Sequence, residues 1–369
     1  MKSKTILILS LFISASAIIG QTKSATKAPA NKTSSVKKSG AHDTVKTIQV
    51  SPDQSSKISF NNGLNDFAKG NYPYALANFN QAINGNPKFE PAYLGRGNTR
   101  LRQKDYKGAS EDYSMALKLD SNDEKAWYGY GQAQTSLGNN DHAISAFRHV
   151  VKRNSNNGDA WYCLGELLAK TGNYKDAQAD FSLAISSKAS FTEAYNDRGV
   201  CNYELGNYKA AADDYRQAIT FSKTPEAYNN LGNAEYKSGD NDGAIGAFTE
   251  AIMLKPQFPD AYNNRGTVYL DKKSYPDAIN DFNKAISMDS ANAYAYCNRA
   301  LVEYKMNDYI KAKADCDKAI QLNPQYGNAY LNRGIIEEMM RNAKDACADW
   351  QKAALYGVAK ANDYITDCK

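Results

Sequence analysis

The chain repeats one short segment at a nearly constant interval. The segment AYNNRG occupies residues 261–266. Related segments begin at Ala92, Ala126, Ala160, Ala194, Ala227, Ala295 and Ala329. Successive alanines are 34 residues apart, except for one interval of 33. Such a period is typical of an array of identical supersecondary units that bury their apolar faces against each other. It therefore constrains the fold more strongly than any other feature.

Each unit has the pattern of two amphipathic helices. We number each repeat from the residue two before its alanine, so the repeats begin at residues 56, 90, 124, 158, 192, 225, 259, 293 and 327. In residues 259–292 the large apolar residues follow helical spacings that break near residues 272–274. Small residues recur at positions 8, 20 and 27, as in Gly266, Ala278 and Ala285. We expect the aromatic residue at position 24 to fill the space opposite the glycine at position 8.

This pattern resembles the tetratricopeptide repeat. The family's aromatic 4, Gly 8, Ala 20, aromatic 24, Ala 27 and Pro 32 are nearly complete in repeats 6 and 7, and a divergent first repeat begins near Ser56. The resemblance implies an all-α fold, a right-handed superhelical solenoid of nine helix-turn-helix units over residues 57–356. It also implies a non-enzymatic interaction scaffold, because the family serves this role in unrelated pathways, and it names no partner.

The segments outside the repeats differ in composition. Lys2 and Lys4 precede an apolar run, which predicts a secretory signal peptide over residues 1–20, cleaved after Ala17 or Gly20, or alternatively an uncleaved anchor. Residues 21–56 are rich in Lys, Ser and Thr, which predicts a disordered tether. We therefore expect an exported protein, periplasmic or secreted, with no membrane span once the signal is removed.

The positive charge lies outside the repeats. Of the net charge of +5, two lysines lie in the signal and six lysines against two aspartates lie in the tether, so the repeats carry −1. A nucleic-acid-binding protein would place its basic residues on the folded part. The charge distribution therefore argues against nucleic acid as a partner.

A helical wheel predicts the surface that each repeat leaves for a partner. On the first helix, positions 4, 8, 11 and 12 face the second helix of the same repeat, and the alanine at position 3 packs on the preceding repeat. Positions 2, 6, 9 and 13 are expected to touch neither neighbour. We call the surface formed by these four positions the inner face.

Asparagine recurs at position 6 of the inner face. Repeats 6 to 9 have Asn230, Asn264, Asn298 and Asn332 there, and repeat 5 has Asp197. An amide offers donors and an acceptor together, so it can pair with a peptide backbone of any sequence. The row is similar to the asparagine ladder of the tetratricopeptide domain of O-linked N-acetylglucosamine transferase, which grips extended polypeptide. The alternative is that this asparagine is only a solvated residue common in the family.

The rest of the inner face changes along the array, from acidic in repeats 4 and 5 to apolar in repeats 8 and 9, with tyrosines beside it. We therefore predict a groove for an extended peptide or protein segment of unknown identity, and a structural spacer with an empty groove is the alternative. The predicted peptide-binding residues are Asn230, Asn233, Asn264, Asn298, Asn332, Asp197, Glu193, Glu204, Tyr203, Tyr236, Tyr304, Leu301 and Ile335.

Arginine at position 7 accompanies aspartate at position 23. The arginines are Arg96, Arg198, Arg265, Arg299 and Arg333, and the aspartates are Asp112, Asp214, Asp281, Asp315 and Asp349. The repeats with Tyr130 or Leu231 at position 7 have alanine at position 23 instead. Repeat 4 is the exception to this pattern, because it combines Leu164 with Asp180. The association predicts structural pairs between the two helices of a repeat rather than ligand contacts.

We interpret the six cysteines on the expectation that the protein is exported. Cys316 replaces the aromatic at position 24, and Cys163, Cys201 and Cys297 lie on first helices without an obvious partner. Gly357 breaks the last repeat, and residues 357–369 are predicted to form a capping helix. Cys347 lies ten residues before Gly357 and Cys368 eleven after it, so antiparallel helices would bring them level for a disulfide.

The sequence predicts no enzyme, metal or cofactor. None of His42, His142 and His149 has a partner at a metal or catalytic-triad spacing, and no glycine-rich phosphate loop is present. The carboxylate clamp of heat-shock co-chaperones in this family is matched only by Asn233 and Asn264, which argues against capture of a carboxyl terminus.

Overall fold

The computed structural model describes residues 51–366 and 368. The predicted signal peptide and most of the predicted tether lie outside these residues. Within them the chain forms α-helices joined by short turns, with no β-strand. The helices are, in chain order, α1 (Pro52–Ala68), α2 (Tyr72–Gly85), α3 (Glu90–Arg102), α4 (Tyr106–Leu119), α5 (Glu124–Ser136), α6 (Asn140–Arg153), α7 (Gly158–Lys170), α8 (Tyr174–Ser187), α9 (Thr192–Glu204), α10 (Tyr208–Phe221), α11 (Pro225–Ser238), α12 (Asn241–Leu254), α13 (Pro259–Asp271), α14 (Tyr275–Met288), α15 (Ala293–Lys305), α16 (Tyr309–Leu322), α17 (Gly327–Met339), α18 (Ala343–Leu355) and α19 (Ala361–Ile365).

The helices pack in consecutive pairs, which confirms the predicted solenoid. Each first helix packs on the second helix of its own repeat, and each second helix packs on the first helix of the next. First helices of neighbouring repeats also contact each other directly. For example, α1 contacts α3 and α15 contacts α17. The first helices therefore line the inner side of the array.

Close packing between glycine and an aromatic ring joins the two helices of a repeat. In repeat 6, a Cβ added at Gly232 would lie only 2.7 Å from Cε1 of Phe248, a fully buried side chain. Repeat 8 has no glycine at this position, and Ala300 there belongs to the same core cluster as the smaller Cys316. The sizes of the two positions are thus matched, because a larger residue at position 8 leaves no space for a ring.

The turn between the two helices has the same backbone conformation in every repeat. Position 15 is in the left-handed region throughout, with φ from 61° at Lys273 to 93° at Gly239. Five of these residues are glycine, whereas Lys104, Lys273, Asn307 and Arg341 carry side chains that disfavour this conformation.

The two ends of the array differ from the predicted boundaries. Helix α1 begins at Pro52, and Ser51 Oγ caps it by accepting from Gln54 N at 3.2 Å, so the last five residues assigned to the tether are helical. Serine followed by proline at the first helical position is a start signal that outweighs the polar composition of the segment.

The C-terminal cap is shorter than predicted. Helix α18 ends at Leu355, Gly357 has φ 83°, and α19 spans only five residues. Ala361 is buried against the ninth repeat, where Trp350 stacks on Tyr364 with ring centroids 5.0 Å apart. Cys347 and Cys368 form a disulfide, with Cα atoms 5.7 Å apart.

Among the helices that the structure describes, none has the length and apolar character required to cross a membrane.

Candidate functional site

Hydrogen bonds run along the inner face from one repeat to the next. Asn264 Nδ2 donates to Asn229 Oδ1, and Asn298 Nδ2 donates to Asn263 Oδ1, both at 3.1 Å. Each bond joins position 6 of one repeat to position 5 of the preceding repeat, 35 residues earlier. The prediction that position 6 touches neither neighbour is therefore wrong. A helical wheel treats one repeat alone, and it cannot show how adjacent first helices are aligned.

Cysteine replaces asparagine in the last of these contacts. Asn332 Nδ2 donates to Cys297 Sγ at 3.2 Å, so the amide in repeat 9 is held as the others are. Burial raises the pKa of Cys297 to about 11, which keeps it a neutral thiol. Cys163 also has a partner, since its Sγ lies 3.8 Å from the Tyr128 hydroxyl. The structure thus gives contacts to two cysteines for which the sequence suggested none.

The asparagine amides keep part of their hydrogen-bonding capacity. Asn264, Asn298 and Asn332 use their Nδ2 groups in these bonds, and their Oδ1 atoms accept nothing from the described residues. Asn230 and Asn233 make no side-chain hydrogen bond within that part of the chain. All five are half-buried. They lie on first helices of repeats 6 to 9 and form one row of amides along the array.

The acidic part of the inner face is organised around a tyrosine. The Tyr162 hydroxyl donates to Asp197 Oδ2 at 2.7 Å and lies 3.2 Å from Glu166 Oε1. Desolvation raises the pKa of Glu166 to about 7, and the charge of Asp197 acts in the same direction. Burial also raises the pKa of Asp197, against the hydrogen bonds from Tyr162 and Asn196. Neither carboxylate has a cationic partner among the described residues.

The other predicted residues lie beside the row of amides and the acidic part of the inner face. Glu193 and Glu204 are exposed, and Leu301 and Ile335 are half-buried on the first helices of repeats 8 and 9. The predicted tyrosines are bound within the array. Tyr236 donates to Asp271 of the next repeat, and the rings of Tyr203 and Tyr304 pack on those of Tyr208 and Tyr309, with centroids 5.2 Å and 5.9 Å apart. These tyrosines are therefore engaged in contacts within the array.

The position 7 arginines lie in a repeated buried network. Arg265 donates to both carboxylate oxygens of Asp281 at 2.8 Å, and its Nη1 donates to Thr249 Oγ1 of the preceding repeat at 2.9 Å. Its guanidinium also lies 5.7 Å from the ring centre of Tyr262. Arg96, Arg198, Arg299 and Arg333 make the same pairs with Asp112, Asp214, Asp315 and Asp349. These groups are therefore engaged within the protein.

The third member of this network lies at position 25 of the preceding repeat and was not predicted from the sequence. The acceptors there are Asn80, Ser182, Thr249, Asn283 and Asp317. A signal was available, because position 25 is polar before each of these arginines. Position 25 is itself arginine, Arg148 or Arg216, before the repeats that have Leu164 or Leu231 at position 7.

Models of the tetratricopeptide repeat match most of the chain. The matched ranges are residues 60–124, 94–157, 146–179, 164–227, 232–273, 266–307 and 293–326. The chain belongs to the tetratricopeptide repeat family. No curated protein matches the sequence significantly.

Solved tetratricopeptide structures include several that are similar to this chain. The APC/C hetero-tetramer Cut9-Hcn1 matches 86% of this chain and 66% of its own, at 15% identity and a TM-score of 0.52. YrrB, a tetratricopeptide protein with an unusual peptide-binding site, covers 51% of this chain and 97% of its own, at 21% identity and a TM-score of 0.44. MamA covers 44% and 96%, at 29% identity and a TM-score of 0.43. The first of these similarities agrees with the solenoid fold.

Proposed function

We propose that this chain is a non-enzymatic scaffold that binds an extended polypeptide segment along the inner face of repeats 4 to 9. Tetratricopeptide repeats commonly mediate protein–protein interactions. The observation that carries the proposal is the row of amides in repeats 7 to 9, each oriented by a hydrogen bond to the preceding repeat and each with an unused carbonyl oxygen. An extended main chain supplies N–H groups for such acceptors.

The orientation of these amides favours binding. A side chain that is already held loses less conformational freedom when a ligand arrives, so more of the hydrogen-bond energy contributes to affinity. Each neutral hydrogen bond contributes about 0.5 to 1.5 kcal/mol. The three amides thus supply only part of the roughly 8 kcal/mol of a micromolar complex. Contacts with Leu301, Ile335 and the acidic part of the inner face are expected to supply the rest of the binding free energy.

The acidic part of the inner face, in repeats 4 and 5, determines the direction in which we expect the peptide to lie along the array. Asp197 and Glu166 have no cation near them in the described residues, and Glu193 and Glu204 add exposed negative charge. The basic part of the segment is therefore expected over repeats 4 and 5, with apolar residues over repeats 8 and 9. A positional peptide library with no preference for Lys or Arg at any position would contradict this arrangement.

A capture experiment tests the proposal as a whole. The full chain is compared with a variant in which Asn230, Asn264, Asn298 and Asn332 are all changed to Ala, using extract from the cell envelope. The control changes four exposed asparagines elsewhere, Asn62, Asn84, Asn156 and Asn362, to Ala. We expect the inner-face variant alone to lose captured proteins. Equal capture by both variants would instead favour a spacer whose contacts are made by other surfaces.

The proposal places the protein outside the cytoplasm, in an envelope or secretion assembly. It rests on the apolar run and lysines of residues 1–20. Amino-terminal sequencing of the mature protein tests this, with Gln21 or Ile18 expected as the first residue. A mature chain that begins at Met1 in the cytoplasmic fraction would contradict it.

A further inference from the structure

A cleft of about 570 Å³ lies on the inner face of repeats 1 to 3, outside the surface described above. Phe60, Leu64 and Leu94 line it as an apolar floor, and the charged residues beside them are Glu90, Asp123, Glu124 and Lys125. Leu64 is 44% exposed, so this floor is open to solvent. The cleft thus combines apolar groups with an excess of acidic ones.

The amide row does not extend into this cleft, for a packing reason. Position 6 is Gly95 in repeat 2 and Gly129 in repeat 3. A Cβ at Gly95 would lie 2.6 Å from Cε1 of Phe79, and one at Gly129 would lie 2.4 Å from Cζ of Tyr113. These rings occupy the space that a position 6 side chain would require. Repeats 2 and 3 therefore present a different chemistry from repeats 6 to 9.

Glu90 lies within hydrogen-bonding reach of Asp123, and one of its carboxyl oxygens has no partner among the described residues. That oxygen, Oε1, is buried. Burial raises the pKa of Glu90 to about 7, and Asp123 and Asp120 act in the same direction, against the weaker effect of Lys125. Asp123 is held in place, since its Oδ1 accepts from Ala126 N at 2.9 Å as a helix cap. Lys125 also lines the cleft but forms no ion pair with either carboxyl group among the described residues, so the two groups favour a further positive charge between them.

We propose that this cleft binds one lysine or arginine side chain of an extended partner polypeptide, with its aliphatic stem over Phe60, Leu64 and Leu94 and its cationic end at Glu90 and Asp123. Both side chains have this division into an apolar stem and a charged end. An inorganic cation would gain nothing from the apolar floor, and a purely apolar side chain would leave Glu90 uncompensated. The site lies in repeats 1 to 3, so it can fail independently of the proposed binding to repeats 4 to 9.

The test compares three short labelled peptides of one uncharged sequence that carry lysine, norleucine or glutamate at a central position. Norleucine keeps the stem of lysine and removes its ammonium group. Binding to the full chain is measured by fluorescence polarisation. We expect the lysine peptide to bind about tenfold more tightly than the norleucine peptide, as for a hydrogen bond to a charged group, and the glutamate peptide to bind least.

Two variants separate the parts of the site. Glu90→Gln is expected to remove the preference for lysine without changing the norleucine peptide, whereas Leu64→Gln is expected to weaken both. Glu111→Gln, on the exposed surface of α4, is the matched control for the lost charge and should change neither. An unchanged lysine preference in Glu90→Gln would overturn the proposal. So would a full chain that binds none of the peptides.

Discussion

At the residue scale, four turn positions hold side chains in a conformation suited to glycine. Lys273 has φ 61°, whereas the equivalent Gly239 has φ 93°. A left-handed conformation costs an L-residue about 1 to 2 kcal/mol, and glycine avoids this cost. Part of the resulting gain in stability is lost, because glycine is more flexible in the unfolded chain. We expect Lys273→Gly to stabilise the chain by about 0.5 to 1 kcal/mol. Urea unfolding measures this.

The neighbouring residue is the control for this substitution. Lys272 has φ −76° at the end of α13, a conformation in which a side chain is tolerated. Lys272→Gly should therefore not stabilise the chain, and it is expected to destabilise it slightly because it also removes the ion pair between Lys272 and Asp242. Equal stabilisation by both substitutions would show that removal of a lysine charge, and not the backbone conformation, is responsible.

Single residues also show what the sequence could and could not predict. The positions of Asn264 and Asn298 on the inner face followed from helical periodicity. Their contacts with Asn229 and Asn263 did not, because these depend on the alignment of two helices 35 residues apart. The cleft at Glu90 was missed for a similar reason, since Glu90 and Asp123 lie at opposite ends of repeat 2, at the start of α3 and just before α5.

At the element scale, the arginine network joins three helices in each repeat that has it. Arg265 connects α13 to Asp281 on α14 and to Thr249 on α12. Arg265→Leu leaves the buried carboxylate of Asp281 without its cation, which typically costs about 3 to 5 kcal/mol. We therefore expect a strongly destabilised single variant in chemical unfolding.

The chain itself supplies the compensating change. Repeat 6 has Leu231 at position 7 with Ala247 at position 23. Arg265→Leu with Asp281→Ala reproduces this combination, so the double variant is expected to recover most of the lost stability. A double variant as unstable as Arg265→Leu alone would show that the pair is not the reason for the loss.

The C-terminal cap gives a second prediction at this scale. Cys347 and Cys368 are 21 residues apart, and a disulfide across such a loop contributes about 3 kcal/mol. Cys347→Ser with Cys368→Ser should therefore increase hydrogen exchange in α18 and α19 and leave the first repeats unchanged. Wild-type protein treated with a reducing agent is the control, and its hydrogen exchange should match that of the double variant. Native protein in which both thiols react with an alkylating agent would contradict the disulfide.

At the scale of the whole molecule, several carboxyl groups have raised pKa values. Desolvation raises the pKa of Glu90, Glu166 and Glu303 to about 7 and that of Asp180 to about 6. Between the ordinary and the raised values, the folded chain holds protons that the unfolded chain has released. Stability is therefore expected to fall as the pH rises from about 5 to about 8. Thermal unfolding across this range measures it.

Substitution of these groups isolates their contribution. Glu166→Gln and Glu303→Gln together should make the decrease of the melting temperature smaller, because two of the titrating groups are removed. Glu111→Gln is the control. An identical pH dependence in all three proteins would show that these carboxyl groups titrate as they do in the unfolded chain.

The architecture of the whole molecule was the part most open to prediction. The 34-residue period specified the helix pairs, since glycine at position 8 and an aromatic at position 24 match in size in one repeat after another. The period carries less information at the ends, where α1 starts at Pro52 and α19 is short. A terminal repeat packs on one neighbour only, so its sequence departs from the pattern used to find it.

The central claim is that a partner polypeptide occupies the inner face, and site-specific photo-crosslinking in intact cells tests it most directly. A photoreactive phenylalanine analogue replaces Leu301 on the inner face or Lys284 on the exposed surface of α14. The account predicts a covalent adduct with another protein from Leu301 and none from Lys284. Adducts from Lys284 alone would contradict it.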